Sequence, residues 1–403
     1  MLPEGWKLSS IGEHIDLLSG FAFKSEDYIS ADDGIKLLRG DNVSQSRLRW
    51  RDVKRYPQSK VTELSRYQLK VGDFVIAMDR TWIPAGVKVC EVVAEDLPCL
   101  LVQRVARLRA LSTIRQDLLR QYFAGHSFEQ YVQSVQTETA VPHISPTDIR
   151  DFEIALPPIA EQRRIAEILS TWDQAIAVQE QLVTNARAQK KALMQTLLTG
   201  KKRLPGFKGE WKTRKFATIA SLAKERVDTT SLPPGARGIE LEHIESETGS
   251  LLGFAEANRQ LSLKTPFNTD HVLYGKLRPY LRKYLKPTFS GVASTEIWVL
   301  IASRKLCSRE FLYFLVQSPG FEAVVDMSAG SKMPRADWDV VKDAPFLIPE
   351  LDELNAISNV LEASEILVRN MQARVRQLQQ EKSALMQQLL TGKRRVKVEA
   401  IEQ

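Results

Sequence analysis

The chain is 403 residues long, 43% hydrophobic and 26% charged, a composition that suits a globular protein of roughly two to four domains. Its three cysteines (Cys90, Cys99 and Cys307) are too scattered for a disulfide framework or a Cys-x-x-Cys metal site, no apolar run approaches the roughly 20 residues of a bilayer span, and MLPEGWKLSS has no signal-peptide pattern, so a cytoplasmic protein with no membrane partner is expected. A net charge of +7, from 56 Lys and Arg against 49 Asp and Glu, favours an anionic partner. Nucleic acid comes first, because fixed cations release counterions from phosphate.

A first block opens at Trp6-Lys7 and soon becomes basic in LLRGDNVSQSRLRWRDVKRY, which carries Arg39, Asp41, Asn42, Arg47 and Arg49. GDFVIAM and RVARLRA, rich in β-branched residues, predict strands, and RQDLLRQYFAG predicts a helix. Between them the AMDRTW loop offers Arg80 and Thr81, and TETAVPH precedes the block's last strand. A long helix follows, with Pro157-Pro158 at its start and Gly200 after its end, each where that residue type is favoured.

The second block opens at Trp211-Lys212 and repeats the plan: strands at HVLYG and STEIWVLIAS, a helix at SREFLYFLVQSP, then a long helix from Pro349 to Gly392. ALMQTLLTGKKR (Ala192–Arg203) returns as ALMQQLLTGKRR (Ala384–Arg395), 192 positions later. The helices are near copies, whereas the blocks agree only in scattered places. Apolar stripes run through Ile165, Leu169, Trp172, Ile176, Leu182, Val183, Ala186, Leu193 and Leu197, and through Ile357, Leu361, Leu367, Val368, Met371, Val375, Leu378, Leu385 and Leu389. Such narrow seams need a partner, and an antiparallel pairing of the two helices is the natural closure. The expected fold is α/β: two mixed α/β heads separated by a pair of long antiparallel coiled-coil helices, with pseudo-twofold internal repetition.

Candidate DNA contacts concentrate in two kinds of segment. YGKLRPYLRKYLKP places Lys276, Arg278, Tyr280, Arg282, Lys283 and Lys286 in a loop broken by Gly275 and Pro279. Arginine can hold guanine through two parallel hydrogen bonds, Asn42 can offer its amide to adenine, and lysine mainly neutralises phosphate. Arg80 and Thr81 occupy the matching loop of the first block. Lys332 and Arg335, in SAGSKMPR, lie just before the closing strand of the second block. No Walker loop, dinucleotide fingerprint or H-E-x-x-H motif is present, and the five histidines have no ligand spacing. No catalytic, cofactor or metal residue is therefore assigned.

VPHISPTDIRDFEIALPPIAEQRRIAEIL and MPRADWDVVKDAPFLIPELDELNAISNVL, with LMQTLLTGKKRLPGF, LMQQLLTGKRRV, LLRGDNV and YGKLRPYLRK, resemble the DNA specificity subunits of type I restriction–modification enzymes. The second copy departs by writing Pro-Glu-Leu-Asp-Glu-Leu, without the Gln of the first. The resemblance implies target recognition domains at 1–156 and 204–348, and spacer and docking helices at 157–203 and 349–403. It also implies a non-catalytic chain that reads a bipartite double-stranded DNA target. Two adenine methyltransferase subunits and restriction (translocase) subunits would dock on it and carry S-adenosylmethionine, ATP and magnesium. A stand-alone sequence-specific DNA-binding regulator is the alternative.

Overall fold

The computed structural model describes residues 2–397 other than 31, 46, 85, 260–261 and 329–332. The chain forms two compact units that do not follow chain order: Met1–Glu180 with Arg374–Gln403, and Gln181–Ala373. Each unit therefore contains one head, the first part of one long helix and the last part of the other.

In the first unit, β1 (Lys7–Ser10) is followed by β2 (Ile15–Ser19), β3 (Phe74–Ala77), β4 (Val89–Glu91) and β5 (Val105–Ala110). Then come α1 (Gln116–Phe123), α2 (His126–Val135) and β6 (Glu153–Leu156). Strands β2 to β5 make an antiparallel sheet in the order β4-β3-β5-β2, while β1 pairs antiparallel with β6. All four residues of β3 are buried, because the period of two sends Phe74 and Ile76 to one cluster and Val75 and Ala77 to another. The first cluster also takes Phe123, Phe128 and Phe152, with Phe123 and Phe128 edge to face at 4.6 Å. Ile165 and Leu169 of α3 (Ile159–Leu197) complete it together with Met386, Leu389 and Leu390.

The second unit repeats this with β7 (Lys212–Lys215), β8 (Ala220–Leu222), β9 (His271–Gly275), β10 (Tyr284–Leu285) and β11 (Ile297–Ala302). After α4 (Arg309–Leu315) and α5 (Pro319–Ser328), β12 (Pro345–Ile348) returns to β7, and α6 (Leu351–Leu389) follows. The sheet order is β8-β11-β9-β10. Its core brings Phe216, Phe311, Phe314 and Phe321 together with Ile357 and Leu361 of α6 and Met194, Leu197 and Leu198.

Both long helices have 39 residues, and their ends are offset by the same 192 positions as the sequence repeat. Gly200 and Gly392 follow with φ of +70° and +72°. A Cβ on Gly200 would lie 3.4 Å from the Trp211 ring, and one on Gly392 would lie 2.7 Å from Pro3 and 3.4 Å from Trp6. Left-handed backbone and close ring approach both demand glycine here.

Within each unit the helical segments run antiparallel. In the first, Lys382 donates to Asp173 at 2.6 Å and Gln379 to Glu180 at 3.4 Å, so one index rises as the other falls. In the second, Lys190 donates to Glu365 at 2.8 Å, and Arg203 forks onto Glu353 at 2.5 and 2.6 Å. Two expected seam residues lie elsewhere: Leu182 and Leu367 are 43% and 44% exposed, while their neighbours Val183 and Val368 are buried. A helix turns about 100° per residue, so two adjacent side chains cannot share one narrow stripe. The lost glutamine also has a physical reading. Gln162 is buried, accepting from the Arg115 N–H and donating to the carbonyls of Thr113 and Pro157. Its counterpart Leu354 is instead packed in the apolar core of the second unit. Among the described residues no helix is long and apolar enough to cross a membrane.

Candidate nucleic-acid interface

In the first head, β3 runs out into residues 78–82, and three backbone hydrogen bonds clasp that loop. The Met78 N–H donates to the Arg104 carbonyl (2.8 Å), the Ile144 N–H to the Met78 carbonyl (2.9 Å) and the Arg80 N–H to the Pro142 carbonyl (2.6 Å). The second head makes the same three bonds after β9. The Lys276 N–H donates to the Glu296 carbonyl (2.9 Å), the Ala336 N–H to the Lys276 carbonyl (2.8 Å) and the Arg278 N–H to the Pro334 carbonyl (2.7 Å). Bridges between Asp79 and His143 and between Leu277 and Arg335 complete the match. The loop and the segment before the closing strand, separate candidates in the sequence, are thus one site in each head.

Arg80 and Arg278 stand at equivalent points of these junctions, with φ of +45° and +50°. Both side chains are exposed, and neither has an ion-pair partner among the described residues. A left-handed backbone is unfavourable for a residue with a Cβ and persists where the surroundings over-determine it, typically at functional sites. Four of the six described left-handed residues other than glycine are arginines of these segments: Arg80, Arg104, Arg278 and Arg282.

Around Arg80 the first head gathers further charge. The hairpin of Val43–Ser44 with Arg47–Leu48 exposes Arg47 and Arg49. Arg39 pairs with the exposed Asp41 at 2.8 Å. Lys88 donates to the Asp79 carbonyl at 3.2 Å, and burial lowers its pKa against the opposing pull of Asp41 and Asp79. Two expected contacts are corrected. Asn42 is buried, its oxygen accepting from the Arg39 N–H and its nitrogen donating to the Arg49 carbonyl at 3.0 Å each, so the amide closes a turn and faces no adenine. Thr81 is fully buried and donates to the Met78 carbonyl at 3.0 Å, which removes it from any DNA surface.

In the second head Tyr280 is exposed and Lys276 half-buried. Lys276 and Arg335 border a recess of about 490 Å³ that Arg226, Trp298 and Trp338 also line. Three basic residues prove to be fastened to the protein. Arg282 is held by Asp326 at 2.5 Å and Glu322 at 3.4 Å, and the Asp326 hydrogen bond raises its pKa. Lys283 donates to the Leu241 carbonyl at 2.6 Å, and Lys286 to Glu362 at 2.5 Å. These side chains brace the loop from behind. Lys332 lies outside the described residues. Sequence reasoning missed Arg104 and Glu296, the residues immediately before β5 and β11. No local motif marks them; strand register alone brings them to the loops.

A pair of α/β heads, each ending a sheet strand in an exposed arginine on an over-determined loop and each followed by a long helix, has the form of a two-site nucleic-acid reader. Residues 3–185 match the family model of the type I restriction modification DNA specificity domain. The chain is 34% identical over 176 residues to the EcoAI specificity subunit of Escherichia coli, an alignment covering 43% of this chain and 29% of that protein. It is 29% identical over 204 residues to the MjaVIII specificity subunit of Methanocaldococcus jannaschii, covering 50% of this chain and 48% of that one. The chain thus spans no more than about half the length of these relatives. Its fold is similar, with a TM-score of 0.57 and 15% identity over 97% of this chain and 99% of the other, to a solved structure that describes complex assembly and conformational transition of the type I R-M system. The chain is thus similar, over its first 185 residues above all, to the type I restriction enzyme specificity subunits.

Proposed function

We propose that this chain reads a bipartite double-stranded DNA target for a type I restriction–modification system, one head per half-site. The observation that carries the reading is the equivalence of Arg80 and Arg278. Both are left-handed and exposed, and both are clasped by the same backbone bonds on differing heads. Rigid presentation of a guanidinium is what bidentate recognition of a base edge needs, and divergence around a common frame is what two different half-sites need. The recognition regions are residues 1–156 and 204–348, and the spacer and docking regions are 157–203 and 349–403. The chain itself performs no chemistry. Methyltransferase and restriction subunits bring S-adenosylmethionine, ATP and magnesium, and the helices give them their docking surfaces and fix the half-site spacing.

The test is co-expression with candidate methyltransferase subunits, followed by co-purification and methylation sequencing. The complex is expected to methylate adenine in a two-part motif, and the purified chain alone to transfer no methyl group from labelled S-adenosylmethionine. Methyl transfer by the verified single chain overturns the reading, as does a chain that binds DNA while retaining no methyltransferase.

A further inference from the structure

Beside each left-handed arginine the two heads carry different chemistry at one backbone position. The carbonyl of Arg104 accepts from Met78 at 2.8 Å, and that of Glu296 accepts from Lys276 at 2.9 Å, so the two residues are equivalents. Their side chains could hardly differ more. The Arg104 side chain is 59% exposed, with Asp79 at 3.8 Å, beyond hydrogen-bonding distance. Glu296 instead accepts from Nε and Nη2 of Arg335 at 3.1 and 3.0 Å, a two-point fork. The counterpart of Arg335 in the first head is His143, whose Nδ1 is 3.0 Å from the Thr137 hydroxyl.

We propose that Arg335 is a specificity-determining residue for a guanine in one half-site, with Glu296 as its positioning residue, and that Arg104 serves the other half-site from the equivalent of the Glu296 position. This rests on the reading of the heads as DNA-binding. The fork uses one hydrogen on Nε and one on Nη2, which leaves the Nη1–Nη2 edge with two parallel hydrogens. That edge fits O6 and N7 of guanine. Half of the Arg335 side chain is exposed, so the edge is accessible. A carboxylate that fixes the guanidinium beforehand reduces the ordering required on binding, and its pairing offsets the repulsion between Glu296 and phosphate. Each head thus adds a second guanidinium, Arg104 beside Arg80 and Arg335 beside Arg278. In the first head it comes from the residue before a sheet strand, and in the second from the segment returning to the closing strand. The two half-sites should therefore place the second contact at different steps from the first.

Selection from a random duplex library with the full chain tests this, comparing the unaltered protein with E296Q, E296D, R335K and R104K. The unaltered chain should enrich a bipartite motif. E296Q and R335K should weaken a guanine preference at one position of one half-site by on the order of tenfold, with E296D recovering part of it. R104K should change one position in the other half-site. A purely structural role would lower binding to all sequences and leave the preference profile intact. A bipartite motif for the unaltered chain with an unchanged E296Q profile, or E296Q effects spread over both half-sites, overturns this inference alone. No motif from the unaltered chain overturns the DNA-reading assignment along with it.

Discussion

Arg203 forks onto Glu353 through contacts of 2.5 and 2.6 Å, joining the basic run after one long helix to the first turn of the other. Trp211 donates to the same carboxylate at 3.0 Å, which leaves Glu353 only 3% exposed. The first unit builds the same cluster, its arginine and glutamate each offset by 192 positions: Arg395 forks onto Glu161, and Trp6 donates to it at 3.2 Å. As buried anchors for an arginine and an indole, Glu161 and Glu353 were not legible in the sequence. Removing Arg203 strands a buried carboxylate, which costs more than losing both charges together. Arg203→Met is therefore expected to lower the thermal midpoint by several degrees, and Arg203→Met with Glu353→Met to recover most of the loss. A single variant that melts with the unaltered protein would remove the pair from the list of anchors.

Left-handed backbone dictates how the reading arginines should be tested. Alanine at position 278 keeps a Cβ at the same φ of +50° and so removes the guanidinium without altering the backbone strain, whereas glycine would also free the backbone. Arg278→Ala should cost about 1–3 kcal/mol at the preferred DNA and relax one base pair of one half-site, and Arg80→Ala should do the same in the other. Competition binding against single-base variants measures both. Equal losses on every sequence would reduce these residues to phosphate contacts.

Lys286 gives the opposite expectation. Its ammonium bonds to Glu362 and lies 5.5 Å from the Tyr313 ring centre, with 16% of the side chain exposed. Lys286→Ala should lower thermal stability while leaving the slope of log affinity against log salt unchanged. A slope reduced by about one unit would restore it as a phosphate contact.

What the sequence disclosed follows the range of the forces involved. The long helices were legible because proline, glycine and apolar periodicity are local signals, and their bounds fall at Ile159–Leu197 and Leu351–Leu389. The main strands were legible for the same reason. Asn42 and Thr81 misled because residue type says nothing about whether an amide or hydroxyl is already satisfied by a neighbouring turn. Arg282 and Lys286 misled because a basic run looks alike whether it faces phosphate or the protein's own carboxylates. Arg104 and Glu296 were invisible, since their role depends on which strand lies beside which.

The last prediction tests why one chain carries the same unit twice. The fragment 1–203 keeps the first head, Trp6, Glu161, Asp173, Ile165 and Leu169, and loses the residues that cover them: Arg395, Lys382, Met386, Leu389 and Leu390. Each lost residue has a counterpart of matching type 192 positions earlier in the fragment itself: Arg203, Lys190, Met194, Leu197 and Leu198. Those counterparts make the equivalent contacts in the second unit, where Lys190 meets Glu365, Arg203 meets Glu353, and the three apolar residues join the core. A second copy of the fragment can therefore supply every missing partner, Lys190 of one copy to Asp173 of the other and Arg203 to Glu161. Burial of the exposed apolar stripe favours that exchange, so a twofold homodimer is expected, weaker than the fused chain and dependent on concentration. Glu161→Arg should disrupt the dimer, and adding Arg203→Glu should restore it with the charges exchanged. Two identical heads would present identical readers, so with methyltransferase partners the methylated target should become an inverted repeat. Analytical ultracentrifugation of the fragment and its variants, followed by methylation sequencing, measures both outcomes. A folded fragment that stays monomeric at high concentration, or one that selects an asymmetric target, would falsify the exchange.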